Sequence, residues 1–171
     1  MTEKKGWSGR YFEDFEVGDV YRHRVGRTIG EADNTWFTLL THNTNQMHFN
    51  APLAARSTFG KVLVNSAFTL ALVTGMSVSD ISENAVANLG WDEVRLPHPL
   101  FVGDTVWAES IVLSKRPSAS RPYAGIVEVR TRGINQDGKV CITYRRTILV
   151  YKRDAPQDKD IFPVPDEPMA P

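Results

Sequence analysis

Through most of the second half of the chain, apolar and polar residues alternate with a period of two. The clearest stretch sets Val127, Val129 and Thr131 against Glu128, Arg130 and Arg132, the pattern of a strand half buried in an antiparallel sheet. The same reading predicts strands over 88–96, 105–113, 125–134 and 140–152, with Asp137-Gly138 closing the last hairpin. Upstream, Gly18-Asp19 makes a turn and 20–27 alternates as a first strand. Thr28-Ile29-Gly30-Glu31 then has the spacing of a capping box, and Trp36, Phe37, Leu39 and Leu40 follow at helical intervals. This helix is expected to end within 41–44, where Thr, His and Asn side chains compete for backbone hydrogen bonds. A second helix runs from Asn65 or Ser66, both good N-caps, to Met76. Its residues Ala67, Phe68, Leu70, Ala71, Leu72 and Val73 leave almost no polar face, which predicts burial all round. Helices followed by four long strands ask for an α+β domain in which an antiparallel sheet wraps one central helix.

Composition narrows the function. At 171 residues and 42% hydrophobic content the chain suits one domain, assigned to 1–153, followed by a tail over 154–171 rich in Pro and Asp. That tail reads as disordered or as an arm on a neighbouring surface. Lys plus Arg and Asp plus Glu are equal at 20 each, so no global field favours nucleic acid or an anionic membrane, and a small-molecule substrate is expected. Cys141 is the single cysteine, which excludes an intramolecular disulfide and a CxxC site and points to a reducing, cytoplasmic setting. The longest apolar stretch, 67–73, is too short to span a bilayer. No signal-type apolar segment opens the chain.

Candidate chemistry concentrates in Thr41-His42-Asn43-Thr44-Asn45-Gln46-Met47-His48. Read alone, these residues leave two possibilities open: a stable Asn/Thr turn in which His48 satisfies a backbone carbonyl, or a reactive loop. A metal site is not expected, because His42 and His48 lie six apart with no third ligand at a recognisable spacing.

The loop resembles the signature of the MaoC-like, or (R)-specific, enoyl-CoA hydratases, which reads small-Gly-Asp-x-Asn-Pro-hydrophobic-His. Asn45 and His48 match outright, Met47 takes the hydrophobic place and Thr41 the small one. His42, Asn43 and Gln46 stand where that family has Gly, Asp and Pro. The likeness continues through Phe59-Gly60, Asn65-Ser66, Leu89-Gly90-Trp91 and Pro99-Leu100-Phe101-Val102-Gly103-Asp104, in the same order. The stretch 43–50 further resembles the itaconyl-CoA and mesaconyl-CoA hydratase subgroup.

The resemblance implies a hot-dog fold, a homodimer or an oligomer built from dimers, an acyl-CoA substrate and no cofactor beyond the CoA of that substrate. It implies that His48 takes a proton from water as the oxygen attacks Cβ of an enoyl thioester. Backbone N–H groups at Ser66, on the first turn of the central helix, would stabilise the enolate oxygen. Thr74 falls where the family has a serine near the catalytic loop. An amide accepts no proton, so Asn43 would orient the water, with Asn45 beside it. In this reading Asn43 also spares a substrate carboxylate the repulsion of an aspartate. Arg56 is a candidate partner for that carboxylate, and Lys115 and Arg116, with Arg121, for the CoA phosphates. The alternatives are a hot-dog acyl-CoA thioesterase and a catalytically degenerate acyl-CoA-binding protein.

Overall fold

The computed structural model describes residue 4, residues 6–156 and 161–167, and residue 169. Its frame is one antiparallel sheet. Strands β1 (Val20–Arg22), β2 (Arg27–Thr28), β3 (Ala85–Arg95), β4 (Thr105–Pro117), β5 (Ala124–Asn135) and β6 (Val140–Tyr151) are ordered β1-β4-β5-β6-β3, with β2 also on β4. The four long strands fall where alternation places them, with β3 starting three residues earlier and ending one short, β4 running four residues further, β5 one longer at each end and β6 one short. Val127, Val129 and Thr131 are buried on the inner face as their period requires.

Helix α3 (Ser66–Met76) lies across this sheet, and Asn65 caps it by accepting the Ala67 N–H at 2.9 Å. Phe68 and Val73 pack with Val106, Ala108, Ile142 and Tyr144 of the strands. A second apolar cluster holds Phe12 and Phe15 of the N-terminal segment, Ile81 of the irregular turn that follows α3, and Val127, Val129 and Ile148. The wrapped-helix arrangement is therefore the one adopted. The helix is not buried all round, however: Ala67, Ala71 and Gly75, spaced by four, form an uncovered stripe beside a groove bounded by α3, β3 and β6.

Three local expectations are corrected. Residues 20–27 do not make one strand, because Gly26 breaks the pairing where the Trp107 indole takes the space of a side chain. Thr28 does not cap helix α1 (Glu31–Leu40). Its hydroxyl meets that of Thr105 at 2.7 Å across the β2–β4 pair, so the helix starts after Gly30, whose N–H donates to the Asp33 carboxylate at 2.9 Å. Third, α1 is turned opposite to its apolar pattern: Asn34 and Thr38 face inward, while Trp36 and Leu40 are 67% and 72% exposed. The expected tail falls partly outside the described residues, and Ile161, Phe162 and Val164 within it are exposed.

Gly133 of β5 lies at a close approach of helix and sheet, since a Cβ there would sit 2.7 Å from Val73 Cγ2 and 2.9 Å from Ile142 Cγ2. Gly133→Ala is expected to overpack this contact and cost about 1–3 kcal/mol, read from the urea unfolding midpoint.

Candidate active site

The loop that follows α1 is built by a helix ending. Asn43 N–H donates to the Thr38 carbonyl at 3.0 Å and His42 N–H to the Leu39 carbonyl at 3.1 Å, the paired bonds of a Schellman stop. His42 has φ of 56°. This left-handed conformation is the natural place of glycine, and histidine is among the residues that tolerate it. Asn43 Oδ1 then accepts the Asn45 N–H at 2.9 Å, and Asn45 Oδ1 accepts the Met47 N–H at 3.1 Å, capping the short 3-10 turn Gln46–His48. The two asparagines thus fold the loop upon itself and set the direction of His48.

His48 is 8% exposed, and its Nδ1 lies 2.8 Å from the Leu63 carbonyl oxygen. A carbonyl only accepts, so the proton sits on Nδ1 and the lone pair on Nε2. The first of the two possibilities read from the loop is what the structure shows, since one ring nitrogen satisfies a backbone carbonyl, and Nε2 has no hydrogen-bond partner among the described residues. Leu63 is three residues before α3. The fully buried Asn34 ties the same region together, because its Nδ2 donates to the carbonyls of His48 at 2.8 Å and Leu63 at 3.1 Å while its Oδ1 accepts the Asn65 N–H at 2.9 Å. Asn65 Nδ2 in turn donates to Thr38 Oγ1 at 3.1 Å. Sequence reasoning missed Asn34; its spacing of four from Thr38, on a helix otherwise read by its apolar residues, was the signal. Ser66 opens α3, and its N–H has no acceptor among the described residues, as the geometry of a first turn dictates.

The groove, of about 700 Å³, runs along Ala67, Ala71 and Thr74 of α3 and meets Asn88, Trp91 and Arg146 on the sheet. His48 and Asn43 are not among its lining residues. Thr74 Oγ1 donates to the Tyr144 hydroxyl at 3.2 Å. Burial pushes the Tyr144 phenol above its ordinary pKa, so it stays neutral.

The remaining expected site residues lie elsewhere. Arg56 is exposed on the turn after helix α2 (Ala51–Ala54) and does not line the groove. Lys115 is engaged within the fold by the Phe15 carbonyl, the Glu16 carboxylate at 3.3 Å and the Phe12 ring, which leaves little of its charge for a phosphate. Arg116 and Arg121 are exposed about the β4–β5 hairpin. A Ser–His–Asp array does occur: His23 Nε2 is 2.9 Å from Ser110 Oγ and its Nδ1 is 2.9 Å from Asp80. Burial works to raise the Asp80 carboxyl, but hydrogen bonds from His23 and Arg10 outweigh it and hold the group below the ordinary carboxylate range. Ser110 is only 1% exposed and its oxygen is shared with Thr131 at 2.8 Å, so the array is a core network without an accessible nucleophile. The Cys141 thiol, buried and pushed up to about 11, is equally inert.

The comparisons with known proteins agree with this frame. The family profile described as mesaconyl-CoA hydratase matches residues 2–161. The chain is 37% identical over 147 residues to a mesaconyl-CoA hydratase of Cereibacter sphaeroides, covering 86% of this chain and 43% of that protein. The crystal structure of a MaoC domain protein dehydratase from Chloroflexus aurantiacus superposes with a TM-score of 0.84 at 32% identity, over 97% of this chain and 47% of that one. A Mycobacterium tuberculosis protein with a double hot-dog fold matches at a TM-score of 0.77 and 20% identity, over 92% of this chain and 47% of that one, a likeness of fold alone. The chain spans about half the length of the curated relatives it matches.

Asn34→Ala strips the partner from two backbone groups, the His48 carbonyl and the Asn65 N–H, and leaves the Leu63 carbonyl with the His48 ring alone. At ~1–3 kcal/mol for an unsatisfied group, we expect a loss of at least about 2 kcal/mol of stability by urea titration. Local opening of residues 46–65 should be visible as faster amide exchange there, whereas exchange that rises uniformly over the sheet would contradict the local role.

Proposed function

The chain belongs to the mesaconyl-CoA hydratase family, and from that membership we propose that it adds water to, or removes it from, the double bond of an unsaturated acyl-CoA bearing a second carboxylate, of the itaconyl-CoA or mesaconyl-CoA kind. The observation that carries this reading is the His48 tautomer. With Nδ1–H held by the Leu63 carbonyl, Nε2 is the basic atom, as a water-activating residue requires.

In the hydration direction, His48 Nε2 removes a proton from water while the oxygen bonds to Cβ. The π electrons shift towards the thioester carbonyl, forming an enolate whose oxygen accepts from the Ser66 N–H at the positive end of α3. Return of that proton from His48 to Cα, as the enolate collapses back to the thioester, completes the addition and restores the neutral imidazole, and dehydration is the reverse. No redox group or metal takes part in the balance, so the CoA is substrate and not cofactor. Asn43 keeps Oδ1 on the loop backbone and offers its amide N–H groups to the water or substrate. Thr74, on the helix face that lines the groove, orients the acyl end.

A second copy of the chain is the proposed partner. Strand β3 is a sheet edge with Leu89 and Trp91 exposed, and the Ala67–Ala71–Gly75 stripe lies uncovered near it. An unpaired edge beside an apolar helix face favours strand addition between copies.

His48→Ala should lower kcat/KM for the preferred enoyl-CoA by ~10²-fold or more, followed as loss of the enoyl thioester absorbance. Release of free thiol at the wild-type rate would indicate thioester hydrolysis instead, and unchanged turnover would remove His48 from the mechanism. Asn43→Asp preserves an acceptor for the Asn45 N–H and adds only charge. Turnover of mesaconyl-CoA relative to crotonyl-CoA is expected to fall in this variant, and a rise would refute the repulsion argument.

A further inference from the structure

Every second side chain of β6 points inward, and the inward series is Ile142, Tyr144, Arg146 and Ile148, all buried. Three of these suit a core; the third in order is a guanidinium 2% exposed. Its described partners are neutral. Nε and Nη2 donate to Asn88 Oδ1 at 2.8 and 2.5 Å, and Nη1 donates to Ser77 Oγ at 3.1 Å, with the Trp91 ring 5.9 Å away. One N–H on each of Nη1 and Nη2 is left without an acceptor among the described residues. Arg145, next in sequence, faces outward and is paired with both Glu93 and Glu128. Acids are thus available on the outer face of this strand, and none is directed at the inner arginine.

Arg146 is also the one charged residue lining the groove beside α3, whose other walls are mostly Ala, Leu and Val. Burial draws its pKa below the ordinary guanidinium value, the mark of a cation that lacks a counter-charge. We propose that Arg146 is the receptor for the free carboxylate of the substrate's acyl group, which enters the groove and takes the two open N–H groups as a bidentate pair. This rests on the hydratase reading and deepens it, because it names the residue that selects a dicarboxylic acyl group over a neutral one. Asn88 and Ser77 fix the plane of the fork without neutralising it. Ser77 Oγ also donates to the Thr74 carbonyl at 2.7 Å, so the receptor sits about one helical turn, ~5 Å, from Thr74. Such a separation suits an acyl group a few carbons long.

The test uses the purified chain and a matched pair of substrates: mesaconyl-CoA, and 2-methylbut-2-enoyl-CoA, which has methyl in place of the carboxylate. Binding of methylsuccinyl-CoA and of 2-methylbutyryl-CoA, saturated and unable to react, is followed by calorimetry. For Arg146→Met the ratio of kcat/KM values, mesaconyl over neutral, should fall by about 10²-fold, the scale of losing a buried charge-paired hydrogen bond. Asn88→Asp keeps the guanidinium and its acceptor but supplies an internal carboxylate, and should lower the same ratio. It also decides the matter if Arg146→Met fails to fold. An unmoved ratio in folded variants overturns the proposal while leaving hydration intact, including the case where Asn88→Asp changes only the oligomeric state. A wild-type protein that hydrates neither thioester, yet binds methylsuccinyl-CoA over 2-methylbutyryl-CoA in an Arg146-dependent way, overturns the hydratase reading and leaves this one standing.

Discussion

The site depends on one buried amide. Asn34 joins three segments distant in sequence: the end of the 41–48 loop at His48, the connector at Leu63, and the cap of α3 at Asn65. A carboxamide is the side chain that both donates twice and accepts from one planar group. Without it the His48 carbonyl and the Asn65 N–H would lack a partner in the interior, at ~1–3 kcal/mol apiece, and the Leu63 carbonyl would keep only the His48 ring. The demand explains why α1 lies with Asn34 and Thr38 inward and Trp36 and Leu40 outward. Hydrogen bonding to loops decides its orientation, and apolar burial, worth roughly 25 cal/mol per Å², is left on that helix mainly to Phe37, which packs against Phe68.

From that anchor the chemistry follows in two steps. Leu63 receives bonds from both Asn34 and the His48 ring, so the element that fixes the connector also fixes the tautomer of the base. The same connector leads directly into α3, whose first N–H groups form the positive end of that helix. The His48 ring and the first turn of α3 therefore share one support through Leu63, Asn34 and Asn65, and their placement is set by packing rather than by flexible side chains.

Much of this was legible in the sequence, and its failures have a common cause. Strands with strict alternation are specified by burial alone, and β4, β5 and β6 appear where Val106, Val127 and Ile142 place them; α3 likewise begins at the Asn65–Ser66 cap. The loop residues His48, Asn43 and Asn45 were singled out through their spacing, and the turn that the two asparagines build is present. What alternation does not encode is which polar residue has been drawn inside. Thr28 was misread as a cap because its strand partner Thr105 is distant in sequence. Asn34 and Arg146 were passed over because polar residues at inward positions look like interruptions of a pattern. The period of β6, continued through Tyr144 to Ile148, nevertheless marked Arg146 as an exception that needs a reason.

The amide at position 43 and the guanidinium at position 146 become intelligible together. Asn43 Oδ1 is committed to the Asn45 N–H, a bond an aspartate would make equally well, so loop geometry does not choose between the two residues. Charge does. Two carboxylates ~6 Å apart at an effective dielectric of about 20 repel by about 3 kcal/mol, enough to offset much of what one buried guanidinium contributes to a substrate's second carboxylate. A pocket that presents a single uncompensated cation keeps its whole attraction for the ligand only if no acid of its own competes. Under the proposed function, an amide at position 43 and neutral partners around Arg146 would both leave a substrate carboxylate without a competing acid.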